Sequence, residues 1–282
     1  MKRSHILVLG LTLSALTAAG CGNAPLSAKL TPTAKSGFTA LARPVNVRTL
    51  DAYYQQAAGK QGSDLLYTLN RIVAAHKDLG YDRARDVMFG EADDVDGDNV
   101  VECDYTGRRM ANVTGKDSAY KGGKGFNAEH TWPQSKGAKG AAKSDLHHLF
   151  PTDCHANSRR GSFPFGEVVS VKWSEGGSKF GHDAQGRQVF EPRDEQKGNT
   201  ARALFYFYTV YGQRASLENF RVEEEVLKKW HQADPVTAED LARNDAVYQA
   251  QGNRNPFVDR PEFVEAIGNF RMQLQAPTFS LR

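Results

Sequence analysis

The sequence predicts a single, mainly helical domain behind an N-terminal leader, and what its clustered motifs resemble makes the class α+β. Three observations lead to that reading: helical periodicity on both sides of a glycine-rich middle section, a composition ordinary for a globular protein, and one dense cluster of histidine, acid and amide residues. Across 282 residues the chain is 40% hydrophobic, 24% charged and 10% aromatic, which excludes collagen-like and disulfide-scaffold architectures. Its 26 glycines and 11 prolines imply many turns. The formal charge of +3 identifies no partner by itself.

Residues 1–20 read as an export signal: Lys2 and Arg3, an apolar run from Ile6 to Leu16, then small residues ahead of Cys21. The apolar run is too short to span a bilayer. The approach to Cys21 resembles a lipoprotein processing site, so Cys21 is the expected lipidation residue, with simple secretion as the alternative; a membrane is expected to be met only through that lipid. Residues 21–49 are expected to be a flexible tether, since no Asp or Glu occurs before Asp51 and Ala, Ser, Thr, Pro, Gly and Lys dominate. The folded domain is placed at 50–282. An oxidising compartment would permit Cys103 and Cys154 to pair, and two separate buried thiols remain the alternative.

Leu65, Leu66, Leu69, Ile72 and Val73 have the spacing of an amphipathic helix, with Ser63 as its N-cap. Residues 82–104 carry nine acids and two arginines. Asp93 to Asp98 invite a calcium reading, but the glycine is misplaced for an EF-hand loop and Tyr105 stands where the bidentate Glu belongs, so an acidic turn is preferred. Residues 107–145 reverse the sign, with eight basic residues against three acids. Beyond them, residues 198–211 read as a buried helix, residues 217–232 as a second, and Thr237 with Asp240 as a capping box opening a third.

The chemistry concentrates between the basic stretch and those helices. Five of the eight histidines, His130, His147, His148, His155 and His182, fall within it or nearby. Hydrolysing a phosphodiester needs a base for water, a hard cation to absorb developing charge, and a basic residue to hold the phosphate. His130 suits the first task because an imidazole titrates near neutrality. Glu129 and Asn157 offer the oxygen ligands that Mg²⁺ prefers, and Mn²⁺ or Ca²⁺ would also accept. Cys154, His155, His147 and His148 include zinc-binding types but lack the spacing of a structural zinc site. Trp132 and Phe163 read as packing residues.

The runs Asn127-Ala-Glu-His-Thr-Trp-Pro-Gln-Ser135, Ser144-Asp-Leu-His-His-Leu-Phe-Pro-Thr-Asp153 and Ala156-Asn-Ser-Arg-Arg-Gly161 resemble the endonuclease I family, secreted or periplasmic nucleases of the ββα-metal (His-Me finger) class. Supporting segments lie at residues 197–206, 230–236 and 251–259. The resemblance implies a ββα-metal core embedded in a mainly helical domain, with His130 as general base and Glu129 and Asn157 holding one divalent ion. It places Glu129 and His130 on a β-hairpin and Asn157 on the short helix after it. Thr152 can cap that helix, Asp153 favours its positive end and Gly161 can end it. Neighbouring strand residues point to opposite faces, so Glu129 and His130 can share a site only at a strand end or irregularity.

Longer members of the family place a phosphate-contacting arginine in the loop after the Glu-His pair. Here that loop carries only Lys136, Lys139 and Lys143. Arg160 is therefore the first expected phosphate clamp and catalytic partner, Arg254 the second, and Lys143 a further substrate contact. His147 is expected to orient the site through a hydrogen bond. The activity implied is sequence-non-specific cleavage of DNA, with RNA a second substrate, by a monomer that leaves 5′-phosphate ends. The competing readings are a non-catalytic nucleic-acid-binding lipoprotein and a metal-dependent phosphatase.

Overall fold

A computed structural model describes residues 47–273, which belong to one compact unit. The expected export signal, Cys21 and nearly all of the tether lie outside the described residues. Helix α1 (Val47–Tyr53) begins three residues before the expected domain start. In α2 (Gly62–Val73), Leu65, Leu66, Leu69 and Val73 are all buried, as the periodicity requires. Ser63 does not cap it: the helix begins a residue earlier, and Gln61 occupies the cap position without a side-chain bond. Then come α3 (Tyr81–Val87), whose helix continues as a π turn over Met88–Ala92, and the short antiparallel pair β1 (Val100–Glu102) and β2 (Arg109–Ala111).

Helix α4 (Lys116–Tyr120) leads into the hairpin that carries the cluster. Its strands β3 (Phe126–His130) and β4 (Leu149–Asp153) pair antiparallel, with Phe126 opposite Asp153 and His130 opposite Leu149. Gly125 lets β3 approach α4, since a Cβ there would sit 1.9 Å from the Ala119 carbonyl oxygen. Between the strands run three 3₁₀ turns, Gln134–Lys136, Gly140–Ser144 and Leu146–His148. Helix α5 (Cys154–Arg160) follows β4 directly. Asp153, rather than Thr152, caps it, accepting from the amides of His155 and Ala156 at 2.8 and 3.2 Å. Thr152 is a buried strand residue. Gly161, at φ +54°, ends the helix as expected.

A three-stranded antiparallel sheet comes next, β5 (Ser170–Glu175), β6 (Ser178–His182) and β7 (Gln188–Glu191). Helix α6 (Asp194–Tyr211) starts four residues earlier than the apolar pattern suggests and is buried around its whole circumference from Ala201 to Thr209. It is the spine of the core: Trp132 stacks on its Phe207 with ring centroids 4.6 Å apart. Helix α7 (Phe220–Ala233) packs along α6, and α8 (Ala238–Gln251) opens with the expected capping box, Asp240 N–H donating to Thr237 Oγ1 at 3.1 Å. Three short helices close the described chain, α9 (Pro256–Asp259), α10 (Phe263–Ile267) and α11 (Phe270–Gln273). Mixed helix and small antiparallel sheets make the class α+β. Among the described residues no helix is long and apolar enough to cross a membrane.

Candidate active site

His130 is the last residue of β3, so the strand-end condition for sharing a site with Glu129 is met. Its Nε2 lies 3.0 Å from the Lys143 carbonyl oxygen. A carbonyl only accepts, so Nε2 carries the proton and Nδ1 keeps its lone pair. Nδ1 faces the amide of Gln134, an exposed residue, at 3.4 Å. Burial, reinforced by His148 and the nearby cations Lys143 and Arg160, lowers the imidazole to about 3. It is therefore neutral near pH 7, with Nδ1 unprotonated.

Glu129 is 2% exposed. Its Oε1 accepts from the Tyr105 hydroxyl at 3.0 Å and lies 3.2 Å from Arg160 Nε. Burial pushes this carboxyl up to about 7 against the pull of Arg160 and Tyr105. Both contacts fall on Oε1, leaving Oε2 the oxygen to offer an ion. Asn157, half-buried on α5, donates Nδ2 to Asn127 Oδ1 at 2.8 Å and to the Ala128 carbonyl at 3.4 Å. Since that carbonyl can only accept, the amide nitrogen must face β3, and Oδ1 turns away from it. A carboxylate and an amide oxygen are the ligand types a hard cation prefers.

Arg160 corrects an expectation. It is 1% exposed, donating to the carbonyls of Thr131 at 2.7 Å and Gly161 at 2.9 Å, with its guanidinium carbon 4.5 Å from the Phe165 ring centre. It pins α5 to the end of β3 and faces Glu129; it does not present its charge to solvent for a phosphate. Arg254 is corrected likewise. At 2% exposure it is held between Asp259 at 2.7 Å and Asp245 at 2.6 Å, an interior ion cluster. Lys143 does lie beside the site, joined to His130 through its own carbonyl. His147 does not touch His130: its Nε2 bonds the Asn253 carbonyl and its ring packs on Tyr206. The neighbour in contact is His148, with ring centroids 5.6 Å apart and Nε2 donating to the Ala142 carbonyl at 2.6 Å.

Cys103 and Cys154 are free thiols; Cys103 Sγ accepts from the Asp153 amide at 3.0 Å. The side-chain oxygens of Asp94, Asp96 and Asp98 gather within 4.8 Å of one another, in a turn where Asp94 accepts from the Asn99 amide.

The family model of endonuclease I matches residues 61–262, most of the described chain. The chain belongs to the endonuclease I family. It is thus an endonuclease, and the relatives it matches are nucleases by name. The extracellular ribonuclease of Bacillus amyloliquefaciens is 32% identical over 234 residues, covering 77% of this chain and 78% of that protein. The extracellular ribonuclease of Bacillus subtilis (strain 168) is 32% identical over 235 residues with the same coverage. An extracellular deoxyribonuclease of Aeromonas hydrophila is 29% identical over 135 residues, 45% of this chain and 57% of that protein. Within this endonuclease I chain, the contacts of Asn127 and Tyr105 went unread in the sequence, and His147 was given the orienting role ahead of His148. Asn127 stood at the head of the motif and His148 beside the residue chosen in its place. Tyr105 carried no local signal, because only the tertiary fold brings it to Glu129.

Proposed function

We propose that this endonuclease is exported and metal-dependent, hydrolysing phosphodiester bonds of DNA and RNA with little sequence preference, and that β3, β4 and α5 form a ββα-metal core. The observation that carries the reading is the tautomer of His130, whose proton is committed to the Lys143 carbonyl so that Nδ1 keeps its lone pair.

In that reading Nδ1 removes a proton from the attacking water, and the bond between Nε2 and the Lys143 carbonyl steadies the imidazolium that results. Glu129 and Asn157 would hold a single Mg²⁺, or Mn²⁺ or Ca²⁺ in its place, which when bound would neutralise charge on the phosphate and the departing 3′-oxygen. Tyr105 and Arg160 fix the Glu129 carboxylate, and Asn127 aims the Asn157 oxygen. Expulsion of the 3′-oxygen leaves 5′-phosphate ends. Water as nucleophile makes no use of a 2′-hydroxyl, which fits relatives named both ribonuclease and deoxyribonuclease. The extracellular and periplasmic names of the relatives support the export signal, and Cys21 lipidation is its anchored version.

Plasmid incubated with Mg²⁺ should be cut, EDTA should stop the cutting, and His130→Ala should abolish it while binding persists. Retardation of DNA without shortening would support the binding protein instead, and phosphate release from small esters with intact plasmid the phosphatase.

A further inference from the structure

One aromatic ring beside His130 carries two cations. Tyr81, the first residue of α3, has its ring centroid 5.5 Å from that of His130. Lys143 Nζ lies 4.4 Å from the Tyr81 ring centre, and the Arg85 guanidinium carbon also lies 4.4 Å from it. Each distance is well inside the range at which a ring attracts a cation. The charges are otherwise little answered. No ion pair to Lys143 occurs among the described residues, Arg85 meets only the exposed Asp82, and the Arg85 Nε is buried without a hydrogen-bond partner.

We propose that Tyr81, Arg85 and Lys143 form a strand-binding subsite that takes the two phosphodiesters next to the one being cut, one at each cation, the Tyr81 ring holding both cations in place. The proposal rests on the nuclease reading above and adds a site to it. Lys143 couples the two: its carbonyl orients the base, and its side chain is fixed toward Tyr81. Flexible cationic chains lose entropy when they meet a phosphate, and a ring that already holds them lowers that loss. With its π-electrons engaged by two cations, the ring reads backbone charge and no base, as a sequence-tolerant enzyme requires. Successive phosphates of one strand are spaced about 3.4 Å along a duplex axis, so a subsite next to the base meets neighbouring phosphates.

The test is binding of a fluorescein-labelled single-stranded DNA to the full chain in EDTA, across a salt series, with no hydrolysis. Lys143→Met and Arg85→Met should each flatten the slope of log affinity against log salt by about 0.7, one phosphate contact apiece. Tyr81→Leu should weaken binding about two- to fivefold at fixed salt, while Tyr81→Phe, which keeps the ring, should match wild type. Lys229→Met, on an exposed position of α7, serves as the control. Unchanged slopes in both methionine variants would overturn the proposal, as would an equal loss in Lys229→Met or in Tyr81→Phe. Should Tyr81→Leu melt early, the two methionine variants decide alone. Flattened slopes in a chain that cuts no plasmid would sink the nuclease reading and keep the subsite; unchanged slopes in an active enzyme would do the reverse.

Discussion

The guanidinium of Arg160 and the carboxylate of Glu129 face each other in the interior, 3.2 Å from Nε to Oε1, with about 1% and 3% of the two side chains exposed. The approach lacks hydrogen-bond alignment, so the attraction is one of charge. Each ion makes the other's burial tolerable. Arg160→Met should therefore destabilise the protein by roughly 3–5 kcal/mol in denaturant titration. It should leave the salt dependence of nucleic-acid binding unchanged. A stable variant with a flattened salt slope would return Arg160 to the role of phosphate clamp.

In the proposed site Asn127 has no ligand role, yet it bonds the residue assigned one. Asn127→Ala removes the shorter of two bonds from the Asn157 amide nitrogen, that to Asn127 Oδ1 at 2.8 Å, and leaves the one to the Ala128 carbonyl at 3.4 Å. Loss of such an outer partner typically costs about 10–100-fold in metal affinity. Calorimetric titration with Mn²⁺ should show a drop of that size, with the melting temperature nearly unchanged. Equal affinity in the variant would mean that Asn157 is not a ligand, or not one that needs aiming.

Glu223 on α7 offers a pH test outside the site. Burial raises its carboxyl from 4.5 to about 7, opposed by the bond from the Phe165 amide and by Arg160. A group raised on folding contributes stability that is complete below its unfolded value and disappears as pH climbs through the folded one. Glu223→Gln keeps an acceptor for the Phe165 amide and removes the ionisation. Thermal melts should coincide at pH 4 and favour the variant at pH 8, by at most roughly 3 kcal/mol. A variant less stable at pH 8 would mean the ionised form is welcome there.

Asp145 ties the site's loop to the spine. Its two oxygens accept from the hydroxyls of Tyr206 and Tyr211 at 2.7 and 2.8 Å and from Gln251 and the His147 amide at 2.8 and 3.1 Å. Burial alone would raise it, but His147, His76, His148 and Gln251 bring it down to about 2. Asp145→Ala leaves the Tyr206 hydroxyl and the His147 amide without this acceptor and takes one of two bonds each from Tyr211, which keeps His76, and Gln251, which keeps Asn253, a loss of about 2–5 kcal/mol. Chemical denaturation would measure it, and a loss under about 1 kcal/mol would show that water replaces the carboxylate.

Much of this was legible in the sequence, and the gaps have physical causes. The buried face of α2 and the Thr237 cap follow from local spacing alone. The start of α6 did not, because its first turn is polar and its apolar pattern begins only near Ala201. Glu129, His130 and Asn157 stood out through their motifs. Arg160 was misread because spacing along a helix indicates which way a side chain points and not what waits opposite. There the Thr131 carbonyl and Glu129 receive it. Arg254 was misread for a similar reason, its partners Asp245 and Asp259 lying on two different helices.

The imidazole of His130 is anchored by a main-chain oxygen, that of residue 143, rather than by any side chain. Every amino acid brings that oxygen, so the anchor survives whatever mutation strikes the position. A substitution there can change the charge displayed while the oxygen facing the imidazole stays.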